Sequence, residues 1–166
     1  MTVSGRTLGA AGAGVSGAVV LAFFLITGFE GRVNHVYPDP VSHSTPWTYC
    51  DGETQNPKTG HVYSDAECDK ETLSLILKVD ADIRACMDLR TPLPAKAEAA
   101  FVSLAWNIGT GAFCKSSIAA SAHAGKLYDA CNRIDLYNRA GGKVIPGLTF
   151  RRGEERKVCL DGYWDQ

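Results

Sequence analysis

Residues 24–40 read FLITGFEGRVNHVYPDP, and this stretch passes from an apolar run into a polar loop that contains two prolines. The apolar run stops at Glu30, which favours a helix that ends there. A glutamate at the tip of an apolar helix is a candidate proton donor, because a low dielectric disfavours its charged form. Asp39, between the two prolines, stays ionised in its polar loop and can orient a water or stabilise positive charge.

The two acids are by themselves a weak signal, since such pairs occur in most proteins. Glu30 is also interpretable as the charge that ends a membrane span, and Asp39 as a turn former beside proline. Glycoside hydrolysis requires a proton donor at the leaving oxygen and a second carboxylate across the scissile bond. The residues alone therefore leave both a catalytic and a structural role open.

An uncharged run from Thr7 to Phe29 precedes Glu30 and is long enough to span a bilayer. Its first half, LGAAGAGVSGA, is nearly all Gly, Ala and Ser, and only VVLAFFLI is strongly apolar. It is open to three interpretations: a cleaved signal peptide, a permanent anchor, or a segment that inserts, holds the protein at the membrane and later leaves it. We favour the third, since no A-x-A cleavage pattern is present and the span is only marginally hydrophobic. With Arg6 and the N-terminus inside, the rest of the chain lies outside the cytoplasm.

The segment after this run predicts a small β region. Residues 34–62 are rich in Pro, Ser, Thr, Gly and Asp, which is typical of loops with short strands, such as residues 46–50. Ser64 stands three residues before Glu67, the spacing of a capping box, and predicts the start of a long helix.

The remainder of the chain predicts mostly helix. A helix that starts after Pro94 is apolar nearly all round, which is typical of a central core helix, and Gly109 is expected to end it. Further helices are predicted near 117–124, near 126–133 and over 148–160. We therefore expect an α+β fold, mostly α-helical with a small β region near the front. Residues 1–29 form the anchor segment, whose end continues into the first helix, and residues 30–166 form the domain.

Composition and charge exclude several classes of site. The net charge is −1 and no basic run stands out, which argues against a nucleic-acid partner. No CxxC, phosphate loop or clustered set of histidines is present, so we expect no metal and no cofactor. An even number of cysteines fits a disulfide framework in an oxidising compartment, although free buried cysteines are the alternative. The sequence does not choose among the possible pairings of Cys50, Cys68, Cys86, Cys114, Cys131 and Cys159.

The front of the chain resembles phage-type lysozymes (endolysins) of glycoside hydrolase family 24, in which a helix ends in a catalytic Glu-Gly and a Tyr-x-Asp loop follows. PWTYCDGET resembles the strand and turn W-T-I-G-x-G-x-T of that family, with Cys50-Asp51 and Glu53 where the family has Gly and His. AFVSLAWNIGTGAF resembles its core helix, and AGGKVIPGLTFRRGEERKVCL its final turn and Arg-Arg helix. The resemblance covers about residues 21–166 and implies a lysozyme-like fold. It also implies hydrolysis of the β-1,4 bond between N-acetylmuramic acid and N-acetylglucosamine in peptidoglycan, for host cell lysis.

The resemblance implies catalytic roles for three residues: Glu30 as the general acid, Asp39 as the carboxylate that positions water, and a threonine as its partner. Thr48 is our choice for the threonine, because the W-T motif and the strand pattern fix its geometry. It requires a three-residue insertion in the loop. Thr45, six residues after Asp39 and before a proline, remains the alternative.

Substrate-binding roles are implied for Tyr37, Asn107 and Arg151. For Asn107, a helix C-cap is an equal alternative. Arg151 and Arg152 either line the far side of the cleft or pair with Glu154 and Glu155, and we favour pairing.

The expected partners are peptidoglycan and, before release, the host inner membrane; the released enzyme is expected in the periplasm as a monomer. The stretch VVLAFFLITGFEG is both membrane-competent and the first helix of the resembled family, as in endolysins with signal-anchor-release segments. We therefore expect the tethered form to be inactive. A lytic transglycosylase and a tethered, non-catalytic peptidoglycan-binding domain are the competing functions.

Overall fold

The computed structural model describes residues 15–38, 47–54, 56–89 and 91–165. In these residues the chain forms an α+β fold dominated by helices. The helices, in chain order, are α1 (Gly17–Phe29), α2 (Asp65–Met87), α3 (Ala95–Ile108), α4 (Thr110–Cys114), α5 (Ser117–His123), α6 (Leu127–Asn132), a short 3₁₀ helix (Ile134–Leu136) and α7 (Pro146–Trp164). The strands are β1 (Val33–Pro38), β2 (Trp47–Cys50), β3 (Arg139–Ala140) and β4 (Lys143–Val144).

Helix α1 is apolar and buries one face in the core. The Ser16 hydroxyl caps its start by accepting a hydrogen bond from the backbone N–H of Val19 at 3.3 Å. Val19, Phe23 and Ile26 are at most 1% exposed. The helix ends where the sequence predicts, because the N–H of Glu30 makes the final hydrogen bond of the helix to the carbonyl of Ile26 at 2.9 Å.

Helix α2 begins with the predicted capping box. The Ser64 hydroxyl accepts from the N–H of Glu67, whose carboxylate accepts from the N–H of Ser64 at 2.8 Å. Ile76 and Ile83 of α2 face the main core and are fully buried. The helix stops at Asp88, which takes a left-handed conformation with φ of 46°.

Helix α3 lies at the centre of the core, as its all-round apolar sequence predicts. Every side chain from 97 to 105 is buried, and α3 packs chiefly against α1 and α7. Gly109 ends α3 with φ of 86°, a value that favours glycine. The chain then re-enters helix as α4, which the sequence analysis did not predict.

Two small antiparallel hairpins supply the β structure. Strand β1 pairs with β2, with Tyr37 opposite Thr48 and Pro38 opposite Trp47. The register is irregular between Val33 and Tyr37. The second hairpin joins β3 to β4 across a two-glycine turn, and α7 follows it with Pro146 in its first turn.

Three disulfides confirm the predicted framework and show its pairing. Each ties a different pair of elements: β2 to α2, α2 to α4, and α6 to α7. The bonds are Cys50–Cys68, Cys86–Cys114 and Cys131–Cys159.

The predicted membrane segment is only partly visible in the structure. Residues 1–14, which hold its Gly/Ala-rich first half, lie outside the described residues. Among the residues that are described, none of the helices has both the length and the apolar character needed to cross a bilayer.

Candidate active site

Glu30 occupies the C-terminal end of α1 with its side chain about one quarter exposed, at 28%. One carboxylate oxygen lies 2.6 Å from Nη1 of Arg151 on α7. The Arg151 guanidinium also sits over the ring of Phe29, 5.0 Å from its centroid. Arg151 therefore contacts both Phe29, the last residue of α1, and Glu30, which follows it.

A buried polar network beneath Glu30 fixes Arg151. Arg151 Nε donates to Glu155 at 3.1 Å, and the Ser103 hydroxyl donates to the same carboxylate at 2.7 Å. Arg152, fully buried, lies 2.8 Å from Glu155 as well. Burial raises the pKa of Glu155, whereas both arginines and Ser103 act in the opposite direction. One carboxylate therefore holds two arginines on α7, and Arg151 is pointed at Glu30.

The strand pair β1–β2 carries two more of the predicted residues, Tyr37 and Thr48. Thr48 is buried, at 7% exposure, and Tyr37 lies opposite it in the antiparallel register. Tyr37 is half-buried, and its ring contacts that of His35 with the centroids 6.5 Å apart.

The turn after β2 holds buried acidic side chains against α2. Asp51 is fully buried and forms a two-point contact with Arg32, at 2.5 and 3.2 Å. The same guanidinium reaches Asp69 of α2 at 2.6 Å. Glu53, 2% exposed, accepts from the N–H of Asp51 at 2.7 Å and contacts the Thr72 hydroxyl of α2 at 2.5 Å.

An open groove of about 300 Å³ lies between this turn, α2 and the end of α3. Its lining includes Glu53, Lys78, Asp82, Trp106 and Thr110, so it offers charged groups and an aromatic ring together. A second cavity of about 420 Å³ is lined by Leu89, by residues 91–94 and by residues 122–125 with Leu127, and it contains none of the predicted site residues.

A family model described as phage lysozyme matches residues 27–155 of the chain. The chain belongs to the phage lysozyme family. This lysozyme is accordingly a glycoside hydrolase that acts on peptidoglycan, and its fold is the α+β fold that the sequence predicts. It is 32% identical to the SAR-endolysin of Enterobacteria phage P21, over 88% of this chain and 90% of that relative.

Two solved structures resemble the lysozyme closely in fold. The active form of the P1 phage endolysin Lyz superposes with a TM-score of 0.75 at 25% identity, covering 86% of this chain and 84% of that one. A P22 lysozyme mutant gives a TM-score of 0.70 at 25% identity, covering 84% of this chain and 94% of that one.

The structure brings together some of the residues that the sequence analysis selected. Glu30 and Arg151 are in contact, and Tyr37 and Thr48 are cross-strand neighbours. Asn107 is exposed in the last turn of α3; it is not the C-cap of the helix, because Gly109 takes that position. Asp39 and Thr45 lie outside the described residues.

Arg151 and Arg152 of α7 pair with glutamate, which is the alternative that we favour from the sequence, but only one of the two expected glutamates takes part. Their shared partner is the buried Glu155, whereas Glu154 points to solvent. The further contact of Arg151 with Glu30 was not predicted, because it joins residues 121 positions apart in the chain.

Several polar residues of the lysozyme were missed by sequence reasoning. Ser103 lies in an apolar helix, and Thr72 lies on the buried face of a charged one. Their partners, Glu155 and Glu53, are far away in sequence. The one local signal was a polar residue at a position that the helical period assigns to the core, as for Thr72.

Among the described residues, no group of three or more His, Cys, Asp or Glu side chains is arranged to hold a metal ion.

Proposed function

We propose that the enzyme cleaves the β-1,4 bond between N-acetylmuramic acid and N-acetylglucosamine with Glu30 as its general acid, and so lyses the host cell. The observation that carries the proposal is the placement of Glu30 at the end of a core-packed helix with its carboxyl group against Arg151. Proton donation to the leaving oxygen requires a carboxyl group held in a fixed place and open to substrate. The partial exposure of Glu30 meets the second requirement.

Arg151 acts on Glu30 through position. Contact with Arg151 restricts the rotation of the Glu30 side chain. Arg151 is in turn held by Glu155, which lies 3.1 Å from its Nε. A substrate-binding role for Arg151 beyond this contact remains part of the proposal.

Asp39 and Thr48 complete the proposed reaction centre. In the proposal, ionised Asp39 orients the attacking water and the Thr48 hydroxyl holds it, with Tyr37 and Asn107 at the sugar. Thr48 receives support from its pairing with Tyr37, which precedes Asp39 by two positions in the sequence. Thr45 remains the alternative for this role.

We further propose that residues 1–29 tether the enzyme to the host inner membrane before release into the periplasm. The SAR-endolysin relatives support this assignment. Val19, Phe23 and Ile26 pack in the core of the folded enzyme, and the same side chains cannot lie in lipid at the same time. Replacing Gly9, Gly12, Gly14 and Gly17 with leucine should strengthen the anchor and delay lysis; unchanged lysis timing would contradict the tether.

The central experiment compares the wild type with Glu30→Gln on permeabilised Gram-negative cells, followed as loss of turbidity. The amide keeps the shape and removes the acid, so we expect activity to fall by about 10²-fold or more. Glu154→Gln, an exposed glutamate near Arg151 in sequence, is the matched control and should retain activity. Equal clearing by wild type and Glu30→Gln would refute the assignment. Mass spectrometry of the products separates hydrolysis from transglycosylation, which yields an anhydro-sugar.

A further inference from the structure

Three polar side chains meet in a fully buried position beside the candidate site, and the proposed mechanism uses none of them. Asp51 and Thr72 are 0% exposed and Glu53 is 2% exposed. The single hydroxyl of Thr72 lies 2.5 Å from a carboxyl oxygen of Glu53 and 3.0 Å from one of Asp51. Two acids and one hydroxyl group therefore share a space from which water is excluded.

Counting hydrogens in this cluster shows where a further proton is needed. The Thr72 hydroxyl carries one hydrogen and can satisfy only one of its two oxygen contacts as a donor. If both acids were ionised, the other contact would be an oxygen–oxygen approach with no hydrogen between the atoms. Asp51 already bears the charge, because Arg32 contacts both of its oxygens. The second hydrogen therefore belongs to Glu53.

The resulting chain has a single direction. With a proton on Glu53, the 2.5 Å contact is a donation from Glu53 to Thr72 Oγ1, which leaves the Thr72 hydroxyl to donate to Asp51, whose charge Arg32 compensates. The other oxygen of Glu53 accepts from the N–H of Asp51 at 2.7 Å. Every hydrogen in the chain then has one acceptor, as buried polar groups require.

Electrostatics of the surroundings agree with a neutral Glu53. Burial, first, and the negative Asp51 raise the pKa of Glu53, although the hydrogen bonds that Glu53 makes with Thr72 and the backbone act against this. Tyr49 of β2 stays neutral, since burial raises its pKa to about 12. Lys78 and Asp82 of α2 line the same groove with opposite charges.

We propose that Glu53, as a neutral carboxylic acid, is a positioning residue that closes a hydrogen-bonded chain between the two proposed catalytic segments. Arg32 follows Glu30 by two positions, and Asp51 follows Thr48 by three. The chain thus fixes the segment after Glu30 to the strand of Thr48, and Thr72 anchors both on α2. This role rests on the proposed function, because the spacing of these segments matters to activity only if Glu30 and Thr48 act on substrate.

Ionisation of Glu53 breaks the chain. Loss of its proton places a second negative charge beside Asp51 and removes the hydrogen donated to Thr72. We expect the turn to shift and Thr48 to move with it. Because misplacing a reacting group by about 1 Å costs roughly 10²-fold in rate, activity should fall as pH rises through the Glu53 pKa.

The first test reads the proton directly. The intact protein is labelled with ¹³C at the glutamate side-chain carboxyl groups, and their NMR signals are followed with pH. The Glu53 signal is assigned by its absence in Glu53→Gln. The signal of Glu98, whose pKa is also raised, is assigned by its absence in Glu98→Gln. We expect Glu53 to remain protonated above pH 4.5, the ordinary pKa of a glutamate side chain, where the exposed glutamates have ionised. Titration of Glu53 together with the exposed glutamates would overturn the proposal. This readout uses no substrate, so its failure is distinct from a failure of the role assigned to Glu30.

The second test compares two variants of Glu53 across pH. Glu53→Gln keeps a neutral donor and an acceptor in place, and we expect a loss of less than tenfold and no alkaline decline from this position. Glu53→Met keeps the volume but breaks the chain, and we expect a loss of more than tenfold with unchanged circular dichroism. Equal losses in both variants would show that a neutral hydrogen-bonding group at this position does not support activity, and would refute the proposal. If Glu53→Met does not fold, the pH profile of Glu53→Gln against wild type decides.

Discussion

Helix α1, which carries Glu30, is held by apolar packing, whereas strand β2, which carries Thr48, is held by a disulfide and by polar contacts. Val19, Phe23 and Ile26 of α1 belong to a large core centred on α3. The apolar cluster around β2 is much smaller and consists of Tyr49, Cys50, Tyr63 and Cys68, with Val36 against it.

Helix α1 and strand β2 should therefore respond differently to pH and to redox state. Apolar packing depends little on pH or redox state, so the backbone of α1 that carries Glu30 should hold its position under changes in both. The Cys50–Cys68 bond and the Asp51–Arg32 ion pair depend on redox state and pH respectively. A change in redox state or pH should therefore affect the position of β2 before it affects that of α1.

The largest expected effect comes from breaking the packing of α1. Phe23→Ala removes a fully buried ring, and we expect the free energy of unfolding to fall by about 3–5 kcal/mol. Phe24→Ala on the same helix is the matched control, because Phe24 is 40% exposed and should cost about 1 kcal/mol or less. Urea unfolding of both variants with the disulfides intact measures the difference. Equal destabilisation would contradict the view that one face of α1 carries its stability.

The helical half of this comparison could be predicted from sequence to a large extent. The stop at Glu30, the capping box at Ser64 and the central place of α3 follow from local chemistry and helical period. Helix α4 was missed because Gly109 signals an end, and the restart after it depends on packing against α2 and α3. Local signals fix where a helix begins or stops, but not whether tertiary contacts rebuild one.

The second-largest expected effect comes from removing either the disulfide of the β1–β2 hairpin or one disulfide of the helical region. We expect the paired alanine replacements of Cys50 and Cys68, and of Cys131 and Cys159, to cost about 3 kcal/mol each, because the closed loops of 18 and 28 residues are similar. Activity should respond differently. At a temperature where both variants are folded, the first should lose most of its lytic activity, since β2 loses its covalent link to α2. The second should keep its activity.

The measurement is turbidity loss at matched folded fractions, with circular dichroism as the check on folding. Equal loss of activity in the two double variants would show that the hairpin is not more dependent on its disulfide than the helical core is on its own.

The polar contacts of the site were less predictable than the fold. Glu30, Thr48 and Arg151 were selected from motifs, but the ion pair between Glu30 and Arg151 depends on how α7 docks. The chain from Glu53 to Arg32 depends on the approach of the turn to α2. Such contacts join residues that are far apart in the sequence. They depend on how the helices and the turn pack together, which no local sequence pattern specifies.

The smallest expected effect is a change of stability with pH that originates from Glu98 in the helical region. Glu98 of α3 is 6% exposed, and burial, together with the nearby Asp80, raises its pKa from 4.5 to about 7 despite its contact with Arg84. A raised carboxyl pKa means that the folded state binds the proton more tightly than the unfolded state. The stability due to protonated Glu98 is therefore fully present below pH 4.5 and is lost as pH rises through about 7.

Glu98→Gln should flatten the decline of the melting temperature over that pH window, because the amide has no proton to lose. An unchanged slope would mean that Glu98 already ionises with the exposed glutamates. Any decline that remains in Glu98→Gln has the same sign as that expected from Glu53, whose pKa is also raised. Adding Glu53→Gln to this variant therefore measures the share of the pH response that lies in the hairpin. We expect that share to appear in activity more than in melting temperature, because the hairpin positions Thr48 while the apolar core sets the stability of the fold.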